Sequence, residues 1–194
     1  MMHRNLDHMT SILSDLIGFE TISSESNQDI IAYLAERLAD HDADIIIDES
    51  PCGKKANLFA TLGKTDKGGI MLSGHTDVVP VADQDWSRPP FQMEMHDGLI
   101  YGRGSCDMKG FIAACMAQLD DFAAAAQHEP IHFAFTYDEE TGCLGASHLI
   151  ETLKQHHIAP RLAIIGEPTE MRVIEGHKGC YEYSTFIHGL AGHG

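Results

Sequence analysis

Apolar positions in the first forty residues recur at helical spacing. Leu6, Met9, Leu13, Leu16 and Ile17 fall on one stripe, and Ile30, Ile31, Leu34 and Leu38 on another. The intervening "SSESNQD" offers Ser and Asn as caps for the second helix. The pattern then changes. "DIIIDE" (44–49), "NLFATLG" (57–63) and "GGIMLSG" (68–74) are short apolar runs bounded by polar or glycine residues, and they predict strands. Residues 83–98, "DQDWSRPPFQMEMHDG", predict a long loop, and "LIYGRGSCD" a short strand running into a turn. "MKGFIAACMAQLDDFAAAA" predicts one Ala-rich helix with a wide apolar face. A strand (131–138), a helix (143–157) and a strand (161–167) follow. This alternation predicts an α/β fold with a mostly parallel central sheet and helices on both faces. After Pro168 the pattern reads as a strand in "RVIEG", a Gly turn and an alternating strand from Cys180 to Ile187.

Composition narrows the function classes. A chain of 194 residues, 43% hydrophobic, can bury a sizeable core. Its 29 acidic against 13 basic residues leave a net charge of −16. That balance argues against nucleic acid or an anionic membrane as partner, and it suits a protein that binds divalent cations. The five cysteines show no CxxC spacing, which points to free thiols in a reducing cytoplasm. The N-terminal stretch has no apolar signal-peptide core, and no apolar run reaches membrane-spanning length.

The candidate chemistry lies at the C-terminal ends of the predicted strands, where open α/β sheets place their ligands. The third strand runs into His75-Thr76-Asp77, and in an extended chain residues two apart share a face. The turn before the Ala-rich helix holds Asp107, the next strand ends in Asp138-Glu139-Glu140, and "RLAIIGE" ends in Glu167. Taken singly, each has an ordinary reading: a hydrogen-bonded His–Asp pair, an N-cap, a loop glutamate. Taken together they converge carboxylates and an imidazole on one edge, an arrangement that is costly without cations. Imidazole and carboxylate donors without clustered thiolates suit zinc, cobalt or manganese. A two-metal site of this kind lowers the pKa of water and polarises a carbonyl, and a free carboxylate beside it can act as general base. Adjacent glutamates, one on metal and one on water, would supply that division of labour.

"GHTDVVP", "YGRGSCDMKG", "DEETGCLGA", "GEPT" and "HKG" resemble, in order and across nearly the whole chain, the zinc-dependent deacylases that include acetylornithine deacetylase, succinyl-diaminopimelate desuccinylase, aminoacylase and related carboxypeptidases. "DMKGF", "IIGEPT" and "GHKG" are most similar to the acetylornithine-hydrolysing branch. The resemblance implies a di-zinc aminopeptidase-like catalytic domain, here residues 1–176. Residues 177–194 would then be the first strand of an inserted α+β dimerisation domain, cut short. It implies two Zn2+, with Co2+ or Mn2+ as substitutes: His75, Asp107 and Glu167 on one metal, Asp107 bridging, and Glu140 on the second. Glu139 would be the general base, and Asp77 the partner that fixes the tautomer of His75. A cis peptide after Asp107 is implied too, as is a further metal-ligating His beyond position 194. His193 matches a residue that reaches across the family's dimer to the oxyanion; as a lone His near the chain end it also reads as solvent-exposed. Arg103 and Lys178 could meet a substrate carboxylate or simply be solvated.

The function so implied is hydrolysis of an N-acyl amino acid, N-acetyl-L-ornithine before succinyl-diaminopimelate or a dipeptide, by a cytoplasmic homodimer. The 194 residues alone would be inactive. A non-catalytic metal-binding chain is the reading from another class. A Rossmann-type nucleotide domain fits the alternation, but "YGRGSCDMKG" lacks the third phosphate-loop glycine and sets Asp107 where a pyrophosphate would lie.

Overall fold

A computed structural model describes residues 2–64, 68–176, 178–179, 183–190 and 192, with side chains from Leu6 onward. Helices α1 (Met2–Gly18) and α2 (Gln28–Ala39) lead into β1 (Asp44–Glu49), β2 (Ala56–Leu62) and β3 (Ile70–His75). A hairpin of β4 (Glu94–His96) and β5 (Leu99–Tyr101) comes next, then α3 (Lys109–Met116), α4 (Leu119–Ala125), β6 (Ile131–Thr136), α5 (Leu144–Gln155) and β7 (Leu162–Ile165).

The main sheet has the order β1-β2-β6-β3-β7. β6, β3 and β7 run parallel, while β2 is antiparallel to both β1 and β6. Four strands therefore point one way and β2 alone is reversed. The α/β class and its helix-covered sheet match the sequence expectation.

The register explains the core. Leu58, Ala60 and Leu62 of β2 face one side with Phe133 and Phe135 of β6, and α1, α2 and α3 cover them. Phe59 and Ala134 face the other side, under Leu149 and Leu153 of α5. Across the β2–β6 ladder Phe59 opposes Ala134 and Ala60 opposes Phe133, so large residues sit against small ones. Phe59, Phe133 and Phe135 are fully buried; each such side chain contributes about 1.5–3 kcal/mol by leaving water.

Four local expectations need correction. The 83–98 loop contains β4, whose hairpin turns at Asp97 (φ 51°) and Gly98 (φ 75°); an Asp-Gly pair supplies the two left-handed residues a tight hairpin needs. The Ala-rich helix is two helices, broken at Ala117-Gln118, which lets Leu119 and Phe122 turn back onto the core. Asn27 precedes α2 but makes no cap bond. Its amide donates to the Ala56 carbonyl at 2.8 Å and to Thr76 Oγ1 at 3.0 Å, and its Oδ1 accepts the Ala56 N–H. It thus ties α2 to the start of β2 and the end of β3. Finally, 172–176 and 183–190 form no strand. Val173, Tyr183, Phe186 and Ile187 are exposed, and none of the described strands lies alongside to pair with them. The remainder of the expected Cys180–Ile187 strand lies outside the described residues.

Among the described residues no helix is long and apolar enough to cross a membrane, and Cys52, Cys106, Cys115 and Cys143 carry free thiols.

Candidate metal centre

Parallel pairing of β3 with β6 and β7 aligns His75 with Thr136 and Ser73 with Ile165. The three strands therefore release their chains at one edge, where His75, the Glu139-Glu140 pair and Glu167 emerge. Asp107 joins them from the turn before α3. The Asp107–Met108 peptide is cis, as the motif resemblance implied. The Lys109 N–H donates to the Gly104 carbonyl at 2.8 Å, and Met108 Sδ accepts the His75 N–H at 3.3 Å.

His75 is the hub. Its imidazole is buried, with Nε2 facing the cluster: Asp107 Oδ1 at 3.1 Å, Glu167 Oε1 at 3.6 Å and Glu139 Oε2 at 4.0 Å. Its Nδ1 lies 2.9 Å from the Asp77 main-chain carbonyl and 3.5 Å from Asp77 Oδ1. A proton on Nδ1 thus has an acceptor in the Asp77 backbone, backed by the carboxylate charge, and Nε2 is left as the donor atom to the cluster. Asp77 does more than face His75. Its carboxylate accepts the Ser23 hydroxyl at 2.7 Å and the N–H groups of Glu139 and Glu140 at 3.1 and 3.3 Å.

Two triplets bring their donor atoms within 4.8 Å of one another: His75, Glu139 and Glu167, and His75, Asp107 and Glu140. All five metal and general-base candidates therefore meet at one place. Asp107 and Glu167 approach His75 Nε2 more closely than Glu139 does, and Glu139 also comes within ligand reach of His75 and Glu167.

Electrostatics favour a cation. Burial raises Glu167 to about 7, and the charges of Asp107 and Glu139 add to that rise. Burial likewise raises Glu140, with Asp107 the next contributor. Burial alone would depress His75, but its hydrogen bond to Asp77 and the charges of Asp77 and Glu167 outweigh this and lift it to about 9. Burial would raise Asp77, yet His75, Ser23 and the Glu139 N–H hold it below its ordinary value. Without a cation the cluster therefore retains protons that a metal would displace, and the imidazole and carboxylates left after their loss are donors that a divalent metal ion accepts.

The cluster opens into a cleft of about 630 Å³, bordered by Met108, Cys143, Ala146 and Ile165. A smaller cavity of about 400 Å³, beside Gly63, Ala126 and Pro130, lies at the other end of β2 and β6. Arg103 does not reach the cluster: its guanidinium stacks 5.0 Å from the Trp86 ring and bonds Gln84. His193 lies outside the described residues.

Sequence reasoning missed three supports of this edge. Lys109, fully buried, donates to the carbonyls of Leu16 (2.9 Å) and Phe19 (2.7 Å), fastening the Asp107 turn to the end of α1. Burial pulls its ammonium down to about 7, against the opposing charge of Asp77. Asn57 and Lys55, at the start of β2, hold the loop that carries the glutamates. Their signal was positional, since the reversed strand alone brings its first residues to the ligand edge.

Residues 71–187 match peptidase family M20/M25/M40. The chain is similar to the acetylornithine deacetylase of Shigella sonnei (strain Ss046), 36% identical over 99% of this chain and 51% of the relative. It thus spans about half the length of the curated relative it matches. Its fold is similar to human carnosine dipeptidase 1 (TM-score 0.69, 25% identity, 82% of this chain and 38% of that one). It is also similar to an M20 family metallo-carboxypeptidase from Sulfolobus solfataricus (TM-score 0.68, 21% identity, 81% of this chain and 37% of that one).

Proposed function

The chain belongs to peptidase family M20/M25/M40, and from that membership we propose that it forms the metal-holding part of an amidohydrolase acting on N-acyl amino acids. N-acetyl-L-ornithine is the first candidate substrate, giving L-ornithine and acetate, and the Shigella sonnei relative's name supports that choice. The observation that carries the reading is the convergence of one buried imidazole and four carboxylates at a single sheet edge.

His75, Asp107 and Glu167 would hold one zinc, and Asp107 and Glu140 a second. When bound, such metals polarise a carbonyl and lower the pKa of water. The chain's own residues supply the rest. Glu139, on the cleft, takes a proton from the attacking water and delivers it to the departing amine. Asp77 keeps His75 oriented and holds the backbone of both glutamates.

Amine release from N-acetyl-L-ornithine by the zinc-loaded full-length protein, with succinyl-diaminopimelate and a dipeptide in parallel, tests the proposal. Turnover of the acetyl substrate alone supports it. Turnover of either alternative alone removes ornithine and keeps the amidohydrolase. No turnover of any of the three, from protein carrying two metals per chain, sinks the substrate class.

A further inference from the structure

The reversed direction of β2 puts Lys55, the residue before it, at the same edge as the carboxylate cluster. There the Lys55 ammonium donates to two acceptors, the Ser23 main-chain carbonyl and Asp138 Oδ1. Both the Lys55 and Asp138 side chains are only 13% exposed. Asp138 immediately precedes Glu139 and holds a left-handed backbone (φ 55°), which for a non-glycine residue persists only where its surroundings over-determine it.

We propose that Lys55 is a positioning residue that closes a ring around the Glu139-Glu140 pair and fixes where both carboxylates point. The ring runs from Lys55 to the Ser23 carbonyl, from the Ser23 hydroxyl to Asp77, and from Asp77 to the N–H groups of Glu139 and Glu140. It returns through the main chain to Asp138, and from the Asp138 carboxylate to Lys55. Each link joins a different segment: the loop before α2, the start of β2, the end of β3 and the end of β6. The two-residue turn is gripped from the front by Asp77 and from behind by Asp138. Cutting the ring at Lys55 frees the Asp138 carboxylate beside two glutamates that repel it. The peptide before Glu139 can then rotate and carry both carboxylates away from the cleft. A structural strut would protect only the fold; this ring also sets the angle of the Glu139 and Glu140 side chains.

The inference rests on Glu139 and Glu140 serving as base and ligand, and its test separates the two claims. The full-length protein is compared with Lys55→Met, Lys55→Arg, Asp138→Asn, the Lys55→Met/Asp138→Asn double variant and Glu139→Gln. Each is loaded with Co2+ followed by its visible absorption, then assayed with N-acetyl-L-ornithine. Lys55→Met is expected to lose about 10–100-fold in kcat with KM within about threefold, and to bind the second Co2+ about tenfold more weakly. Lys55→Arg, which keeps both donors, restores most of each loss. The double variant is no worse than Lys55→Met, because the pair acts as one unit. If Lys55→Met does not fold, Asp138→Asn carries the same expectations.

Parental Co2+ affinity and kcat in folded Lys55→Met, beside an inactive Glu139→Gln, would overturn the inference and leave the function standing. An active Glu139→Gln would remove the base assignment instead, and weakened cobalt binding in Lys55→Met would still support the ring. Failure of Lys55→Arg to recover either readout would also overturn it.

Discussion

Replacing Asn57 with Ala tests whether one buried amide holds the glutamate loop to the sheet. Asn57 is fully buried. Its Nδ2 donates to Asp48 Oδ2 at 2.8 Å and to the Gly145 carbonyl at 3.0 Å, and its Oδ1 accepts the Tyr137 N–H at 3.3 Å. Tyr137 and Gly145 bracket the loop that carries Glu139 and Glu140. Truncation leaves the Gly145 carbonyl and the Tyr137 amide without these partners and removes one donor from Asp48, which keeps Thr152 Oγ1 at 2.6 Å. A buried polar group left unsatisfied costs about 1–3 kcal/mol. One orphaned backbone N–H, whose 3.3 Å bond puts it at the low end, with one donor lost from Asp48 and one from a Gly145 carbonyl that stays bonded within α5, comes to about 2–4 kcal/mol. Denaturant unfolding should show a lower midpoint at unchanged slope, and the melting temperature should fall by about 10 °C. Asn57→Asp preserves shape but turns two donors into acceptors against Asp48 and Gly145. It should be at least as damaging at neutral pH and recover on acidification. A cost below about 1 kcal/mol for Asn57→Ala, or a milder Asn57→Asp at pH 7, would refute the reasoning.

Glu139→Gln should lower kcat by about 10²–10⁴-fold at unchanged zinc content, read by turnover and metal analysis; loss of zinc with activity would make Glu139 a ligand. Because the Glu167 carboxyl is raised to about 7, its contribution is complete below about pH 4.5 and disappears as pH rises through 7. Metal-free protein should therefore lose stability over pH 4.5–7 relative to Glu167→Gln, and zinc, which takes the ionised carboxylate, should reverse the difference; equal slopes in pH-resolved melts of the metal-free proteins would contradict this. Gly145→Ala would place a Cβ 2.4 Å from the Tyr137 carbonyl and 2.7 Å from Asn57 Oδ1. It should cost about 1–3 kcal/mol in denaturant titration and reduce kcat as well, since the displaced backbone carries the glutamates.

The clustered histidine and carboxylates were legible because their signal is local. An apolar run that stops abruptly at a carboxylate or imidazole marks a strand end, and three such ends, with Asp107 in the turn before a helix, cannot be scattered in an α/β sheet. What stayed hidden was whatever depends on contacts distant in sequence. Lys109 reads as an ordinary helix-start lysine until the end of α1 is laid over it. Asn27 reads as a cap, but the edge of β2 and Thr76 compete for its amide and win. Lys55 and Asn57 gain their roles from the reversal of β2, and the hydrophobic pattern of a strand buried on both faces says nothing of direction. The β4–β5 hairpin was readable in Asp97-Gly98; its short, exposed strands hid it.

The order β1-β2-β6-β3-β7 bears on how the protein acquires its metal. Within this sheet only the β1–β2 pairing joins neighbours in sequence; its other ladders close loops of about 60–90 residues. Such pairings form late, after the chain has met the entropy of loop closure. His75, Asp107, Glu140 and Glu167 stand about thirty residues apart, so no stretch of unfolded chain gathers two of them. A metal ion therefore has no nucleus to organise early in folding. It would be taken up by a finished edge, and its binding would stabilise the folded chain against unfolding.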